Sequence, residues 1–348
     1  MTVRVRHLDA ASCAAWDAFV AQHPDGTFCH RAGWKKVIEA GAGHESPFLV
    51  AEQDGSLVGV LPLTLRRSLL FGKQASSTMF GVYGGPLAGS DEAYDALDEA
   101  AWNLARDAGC DTLEYRTIRP RHQATEGWQT VPGKAATFIR DLASGDEQDI
   151  LLQIPRKQRA VVRKSLKQNI VSDWNAGIDE FYQFYAYSVH GLGTPVFPKR
   201  LFTAFKAVFE DDVLVQVIRD AGGKGVASLM SFRTRDTVLP FYAGGSAQAR
   251  SLAAHDFMYF ELMKRAQADG LSKFDFGRSK IGTGPFNFKK NWGFEPTPLE
   301  YEYRLAPGAN VPDISPQNRK FSLVIEAWKR LPLGVANLIG PPIAKHLG

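Results

Sequence analysis

The sequence has few cysteines, and none is placed for chemistry. Cys13, Cys29 and Cys110 stand alone with no CxxC or CxxH spacing, which argues against a structural zinc or a disulfide framework and fits a reducing cytosol. No run of about 18 apolar residues occurs, so no membrane span is expected. The opening MTVRVRHLDAASCAAW is charged early and has no apolar h-region, so no signal peptide is expected. Charge of one sign is scarce too: 41 basic against 37 acidic residues leave +4, too little for the global field of a nucleic-acid binder. Catalytic signatures are also missing. There is no GxGxxG after the first strand, no HExxH, no GxSxG and no paired metal-ligand spacing, so no metal site is expected. The glycine-rich GRSKIGTGPF is not a Walker motif, because no Gly-Lys-Ser/Thr closes it.

What the chain does have is length and a repeated order of elements. Its 348 residues, 45% hydrophobic and 22% charged, exceed the size at which one core keeps growing and predict two domains. Helices are expected over Ser12 to Phe19 and within Thr27 to Ala40, where Trp34, Val37 and Ile38 share a face. PFLVAE and SLVGVLPLTL, joined through Asp54-Gly55, read as a hairpin. FGVYGGPL then reads as a strand, Asp91 to Ala108 as a helix and TLEYRTI as a strand. The second half repeats this order: VLVQVI and GVASLMSF as a hairpin, TVLPFYAGG as a strand, Leu252 to Ala268 as a helix, and SKFDFG as a strand. Tyr83 and Tyr242, Gly109 and Gly270, and Tyr115 and Phe276 are matched landmarks at nearly constant separation, as a duplicated domain requires. The fold class expected is α/β, more closely an α+β mixed sheet with helices on its faces. The domains are expected at 1–150, at 151–305 opening with a basic helix, and a linker with an amphipathic tail at 306–348.

Two segments invite a surface reading. Arg156, Arg159, Arg163 and Lys167 fall on one side of a helix between the halves, either a solvated face or a clamp for a phosphate-bearing substrate. Phe321, Val324, Ile325 and Trp328 recur at helical spacing, followed by LPLGVANLIGPPIAKHLG. This tail either docks on its own protein or lies on a bilayer, with Trp328, Lys329, Arg330 and Lys345 at headgroup level.

The densest polar and aromatic cluster is FDFGRSKIGTGPFNFKKNWGFEPTPLEYEY, residues 274–303. Asp275 emerges at a strand end beside Gly277 and Arg278, where α/β proteins often place ligands. Asp275 is a candidate to orient Arg278 or an incoming amine. Arg278 and Lys289, with Lys280, are candidates for a phosphate or a developing oxyanion. Asn287 and Trp292 lie in the same cluster as candidate substrate contacts. Tyr242 in FYAGG is a candidate hydrogen-bond donor, and His255 opens the helix after it. His190 and Arg200, in and after YSVHGLGTPVFPKR, are further candidates for substrate, as are Arg159 and Arg163. With no strong nucleophile motif, direct attack of a bound amine on an acyl donor is the chemistry that fits.

FDFGRSKIGTGPFNFKKNWGFEP, preceded by GLGTPVFPKRLF and VLPFYAGG and by GTFCHRAGW near the start, resembles the FemAB-like proteins. The resemblance is closest to the branch associated with exosortase and PEP-CTERM systems of Gram-negative bacteria. It implies tandem duplicated GNAT-like domains, the first degenerate, and N-acyl or aminoacyl transfer onto an amine of a cell-envelope or exopolysaccharide precursor such as a lipid-linked amino sugar. A non-catalytic scaffold or lipid-linked-sugar-binding protein is the alternative. No tightly bound cofactor is implied; acyl-CoA or aminoacyl-tRNA would serve as co-substrate. No coiled-coil arm for tRNA is present. The GNAT pyrophosphate run survives in AQARSLAAHDF only as Gln248 and Arg250, followed by His255. The location implied is cytoplasmic, with possible peripheral contact at the inner membrane.

Overall fold

A computed structural model of the chain describes residues 2–312 and 322–348. They form two compact units, one of residues 2–133, 299–312 and 342–348, the other of 134–298 and 322–341. The expected boundary near 150 therefore lies earlier, and the chain returns. The reason is strand pairing: residues 139–141 join the second unit's sheet, and Glu302 to Leu305 pair with the first unit's 112–115.

The first unit contains β1 (Arg4–His7), α1 (Cys13–Gln22), α2 (Gly33–Ala42), β2 (Leu49–Gln53), β3 (Ser56–Leu61), β4 (Thr64–Ser68), β5 (Gly72–Ser76), β6 (Leu87–Ala88), α3 (Asp91–Asp107) and β7 (Thr112–Tyr115). The long β8 (Trp128–Thr137) carries the chain into the second unit. β1, β2, β3 and β6 form one sheet; β16 (Thr297–Leu305), β7, β5 and β4 run in that order in another. Asp54 and Gly55, both at positive φ (51° and 77°), make the tight turn between β2 and β3, as the Asp-Gly signal predicts. Ser90 caps α3, its Oγ accepting from the Ala93 amide at 3.3 Å, and Gly109 ends it at φ 72°.

The second unit contains β9 (Ile139–Asp141), α4 (Glu147–Gln153), α5 (Arg156–Ser165), β10 (Val171–Asp173), α6 (Ile178–Gly191), α7 (Lys199–Phe209), β11 (Val213–Arg219), β12 (Gly225–Thr234), β13 (Thr237–Gly245), α8 (Ala247–Ser251), α9 (Ala254–Ala268), β14 (Lys273–Asp275), β15 (Ser279–Lys280) and α10 (Gly284–Asn291). β16 (Thr297–Leu305) leads back, and α11 (Ser322–Arg330) and α12 (Leu333–Ala344) come after it. Its sheet runs β10-β11-β12-β13-β14-β9. Phe181, Phe202, Phe232 and Tyr242 pack ring to ring where α6 and α7 cover the sheet. Val238, Phe257, Phe274, Phe276 and Trp292 belong to a separate core cluster that includes α9.

The repeat is real at one supersecondary unit. β5 and β7 are parallel across α3, with Ala75 beside Leu113; β13 and β14 are parallel across α9, with Thr237 beside Lys273. Both crossover helices end at a left-handed glycine, Gly109 and Gly270 (φ 72° and 78°). The landmark at Tyr83 is misplaced. Most of FGVYGGPL is irregular backbone and bends rather than strand, with Phe80 at φ 63° and Gly85 at 98°, and backbone bonds run from the Gly81 amide to the Thr78 carbonyl and from the Gly84 amide to the Arg116 carbonyl. The matching strand is β5, in the hairpin RRSLLFGKQ. The expected helix 252–268 is found as α9, starting two residues later because Ala253 sits at φ 50° and separates it from the short α8.

In the tail, α11 lies against the second unit. A Cβ on Gly193 would stand 2.5 Å from the Ile325 side chain, and Trp328 is 8% exposed. The first unit holds the final residues: His44 Nε2 bonds the Lys345 carbonyl at 2.7 Å, and Arg116 Nη2 donates to the Gly348 carbonyl at 3.1 Å. Phe321 lies outside the described residues. No helix among the described residues is long and apolar enough to cross a membrane, and no cluster of three metal-ligating side chains occurs among them.

Candidate active site in the second unit

The second sheet opens between its two parallel strands. β13 pairs with β14 only at Thr237–Lys273 and Val238–Phe274, although β13 continues to Gly245. The opposite edge stays in register with β12 except for a bulge, where Met230 faces Tyr242 and Ser231 faces Pro240. Phe241 is the extra residue, and a bulge of this kind bends the strand. Beyond Val238, one edge of β13 thus has no strand partner among the described residues. A strand edge of this kind can take an extended ligand as a further strand.

The end of β13 is fixed to α6. Ser188 Oγ donates to the Gly245 carbonyl at 3.1 Å and accepts from the Gly245 amide at 2.8 Å. Gly244 allows this approach, since a Cβ there would lie 2.3 Å from the Phe184 carbonyl oxygen. His255 packs on Gly245, and burial lowers its pKa, so its imidazole is neutral at physiological pH.

At the end of β14 the chain turns sharply, and three of the candidates meet there. Asp275, 3% exposed, accepts from the Gly277 amide at 2.7 Å and from Thr137 Oγ1 at 3.5 Å. Gly277 takes φ 64°. Lys289 reaches back from α10, and its Nζ donates to the carbonyls of Phe276 (2.6 Å), Gly277 (2.9 Å) and Arg278 (3.2 Å). Burial pulls its pKa down to about 7, opposed by Asp275 and assisted by Arg278. In its protonated form the amine has three N–H donors, and all three are engaged. Where the sequence suggested a phosphate or oxyanion ligand, Lys289 in this geometry ties the turn from which the exposed Arg278 projects.

Other candidates fall elsewhere. Tyr242 is 6% exposed and ringed by Tyr185, Phe202, Phe205 and Phe241. Trp292 is fully buried against Phe276 and Phe288, so the structure makes it a core residue rather than a substrate contact. Arg159 is drawn away from the expected stripe: its Nε and Nη2 donate to the carbonyls of Ile154 and Leu152 at 3.0 and 3.1 Å, stopping the chain after α4. Lys167 lies past the end of α5, while Arg156, Arg163 and Lys164 are exposed. Gln248 and Arg250 are exposed on the short α8, Gln248 donating to Asp220 at 3.2 Å. Lys280 pairs through its backbone with Ala135; Asn287 is exposed on α10. His190 ends α6 with a buried Nε2 that has no hydrogen-bond partner, and Arg200 is exposed in the first turn of α7.

One group that sequence reasoning passed over is Asp256. It accepts from the Gln158 amide of α5, and burial raises its pKa to about 6, with Gln158 and the indole of Trp292 opposing the rise. Trp292 Nε1 faces it outside strict hydrogen-bond geometry. Only the fold brings 158, 256 and 292 together; no spacing in the sequence announces it.

Residues 153–290, from the end of α4 through most of α10, match the family model described as Acetyltransferase (GNAT) domain. No curated protein sequence matches the chain. Among solved structures, FemX is 14% identical with a TM-score of 0.67, covering 87% of this chain and 97% of its own. A tandem GNAT protein from the clavulanic acid biosynthesis pathway is 15% identical with a TM-score of 0.58, covering 88% and 100%. The C-terminal domain of a putative lysylphosphatidylglycerol synthetase from Agrobacterium fabrum is 15% identical with a TM-score of 0.57, covering 86% and 92%. The architecture is that of tandem GNAT-like proteins, and the stretch that matches the GNAT family model lies in the second unit.

Proposed function

We propose that the second unit transfers an acyl group from a thioester donor to an amine, in the opening between β13 and β14. The observation that carries this reading is the divergence of two parallel strands after two paired residues, beside the turn that presents Arg278. An extended, amide-containing donor such as acyl-CoA can complete the open edge of β13, which holds its carbonyl still. The neutral acceptor amine then attacks the carbonyl, the C–N bond forms, the C–S bond breaks, and the proton lost from nitrogen ends on the departing thiolate. Arg278 supplies positive charge for the oxyanion or a donor phosphate, and Lys289 acts through it by fixing the turn. The acceptor we favour is an amine of a cell-envelope or exopolysaccharide precursor, a choice that rests on the sequence resemblance. An aminoacyl-tRNA donor draws its support from the exposed Arg156, Arg163 and Lys164 of α5.

A second reading, a non-catalytic binding protein on the same fold, is favoured by two internal commitments: Tyr242 is packed among rings, and Lys289 has no donor to spare. Native mass spectrometry with acyl-CoA thioesters and charged tRNA, then addition of amino-sugar acceptors, separates the two. The transferase reading expects a donor complex and acceptor-dependent donor loss, and Arg278→Ala should slow that loss by at least about tenfold at unchanged melting temperature. No complex and no consumption with either donor would move the binding-protein reading to the front.

A further inference from the structure

The hairpin that sequence reading passed over carries an exposed apolar tip. Leu69 is 110% exposed and Leu70 75%, at the turn between β4 and β5. Turn chemistry does not ask for leucine there, since glycine, proline, asparagine, aspartate and serine are the residues that make turns. The backbone of the tip is largely satisfied from within. Ser68 Oγ accepts from the amides of Leu70 and Phe71, both at 3.2 Å, and Arg66 Nη2 donates to the Phe71 carbonyl at 3.1 Å. Such internal pairing lowers the cost of taking a turn out of water.

Immediately below the tip, Arg67 and Lys73 face each other across the two strands. Like charges directly opposite are destabilising, and Lys73 Nζ lies over the C-terminal end of α3, 3.0 Å from where a Cβ on Gly109 would stand. Arg67 has one counter-charge, Glu45 at 3.1 Å, and both side chains are more than half exposed; Lys73 is exposed as well. Two leucines above two opposed cations match the layered chemistry of a membrane surface, with apolar side chains below the headgroups and cations among anionic ones. They do not match a protein partner, because two side chains fall far short of the ~800 Å² that each side of a stable protein interface buries.

We propose that the β4–β5 hairpin tip, Leu69 and Leu70 with the Arg67/Lys73 collar, inserts into the surface of an anionic lipid bilayer. The insertion is a property of the first unit and holds whether or not the second unit transfers an acyl group. The test is co-sedimentation of the full chain with phosphatidylcholine vesicles, with and without about a third phosphatidylglycerol. Binding to the anionic vesicles is expected, weakened by about tenfold or more in Leu69→Ser/Leu70→Ser and reduced further by salt in the parent protein. Arg67→Gln/Lys73→Gln should remove the preference for the anionic vesicles. Both serine substitutions replace exposed side chains, so the variant should keep its circular dichroism and melting temperature. Three results would overturn the proposal: no sedimentation of the parent protein, equal binding by the serine variant, or loss of binding on Leu338→Ser in α12 with the hairpin variant unaffected. A dimer that dissolves in the serine variant without any vesicle binding would also overturn it, giving the tip to a second copy of the chain.

Discussion

His122 shows how three residues far apart in sequence become one charged group. Its Nε2 lies 2.9 Å from Asp98 and its Nδ1 3.2 Å from Glu302, and its ring stacks on Trp128 at 3.9 Å. All three ionisable side chains are buried. The two carboxylates overcome desolvation and raise the imidazole pKa to about 9. A folded-state pKa above the unfolded value means that stability from this group is fully present below about pH 6.5 and lost as pH rises through about 9. The size of the effect is on the order of 3 kcal/mol. Urea denaturation across that window should show a falling midpoint in the parent protein and a flatter profile in His122→Gln; equal slopes would remove His122 as the cause. Nothing at positions 98, 122 and 302 marks this triad in the sequence. The place of Asp275 and Arg278, three residues apart at a strand end, was legible. The engagement of Lys289 with three carbonyls was not, because it depends on how α10 folds back over the turn.

At the scale of elements, strongly patterned segments were readable and turn-rich ones were not. The amphipathic α3, with its Ser90 cap and Gly109 stop, arises from local chemistry alone. The β4–β5 hairpin does not, because its turn Leu69-Leu70-Phe71 carries none of the usual turn residues before Gly72. FGVYGGPL resembles a strand in composition, yet Phe80 and Gly85 at positive φ break the extended geometry. The paired glycines of TVLPFYAGG had a reason that sequence could not supply: α6 lies against them. A methyl group on Gly244 would stand 2.3 Å from the Phe184 carbonyl oxygen and 2.6 Å from the Tyr185 Cα, both backbone atoms that cannot swing aside. Gly244→Ala should therefore cost about 1–3 kcal/mol and lower the melting temperature by several degrees. An unchanged melting temperature would mean that α6 can shift along the sheet at little cost.

For the molecule as a whole, the duplication was legible in order but not in detail. Both units place a helix between parallel strands, yet the turns at the ends of those strands differ. After Tyr115 at the end of β7 comes Arg116, whose Nη1 donates to the Gly81 carbonyl at 3.0 Å and whose Nη2 lies 3.4 Å from Glu114. After Asp275 at the end of β14 comes a turn that leaves Arg278 exposed. The arginine is largely buried in one repeat and exposed in the other, so a donor should engage the second unit and leave the first unchanged. Hydrogen exchange tests this directly. Adding acyl-CoA should slow exchange in residues 237–245 and 273–280, where the open strand edge and the Arg278 turn lie, and leave 72–76 and 112–116 at their free rates. Protection of both sets would mean that the first unit binds donor as well, and protection of 72–76 and 112–116 alone would move the donor to the first unit.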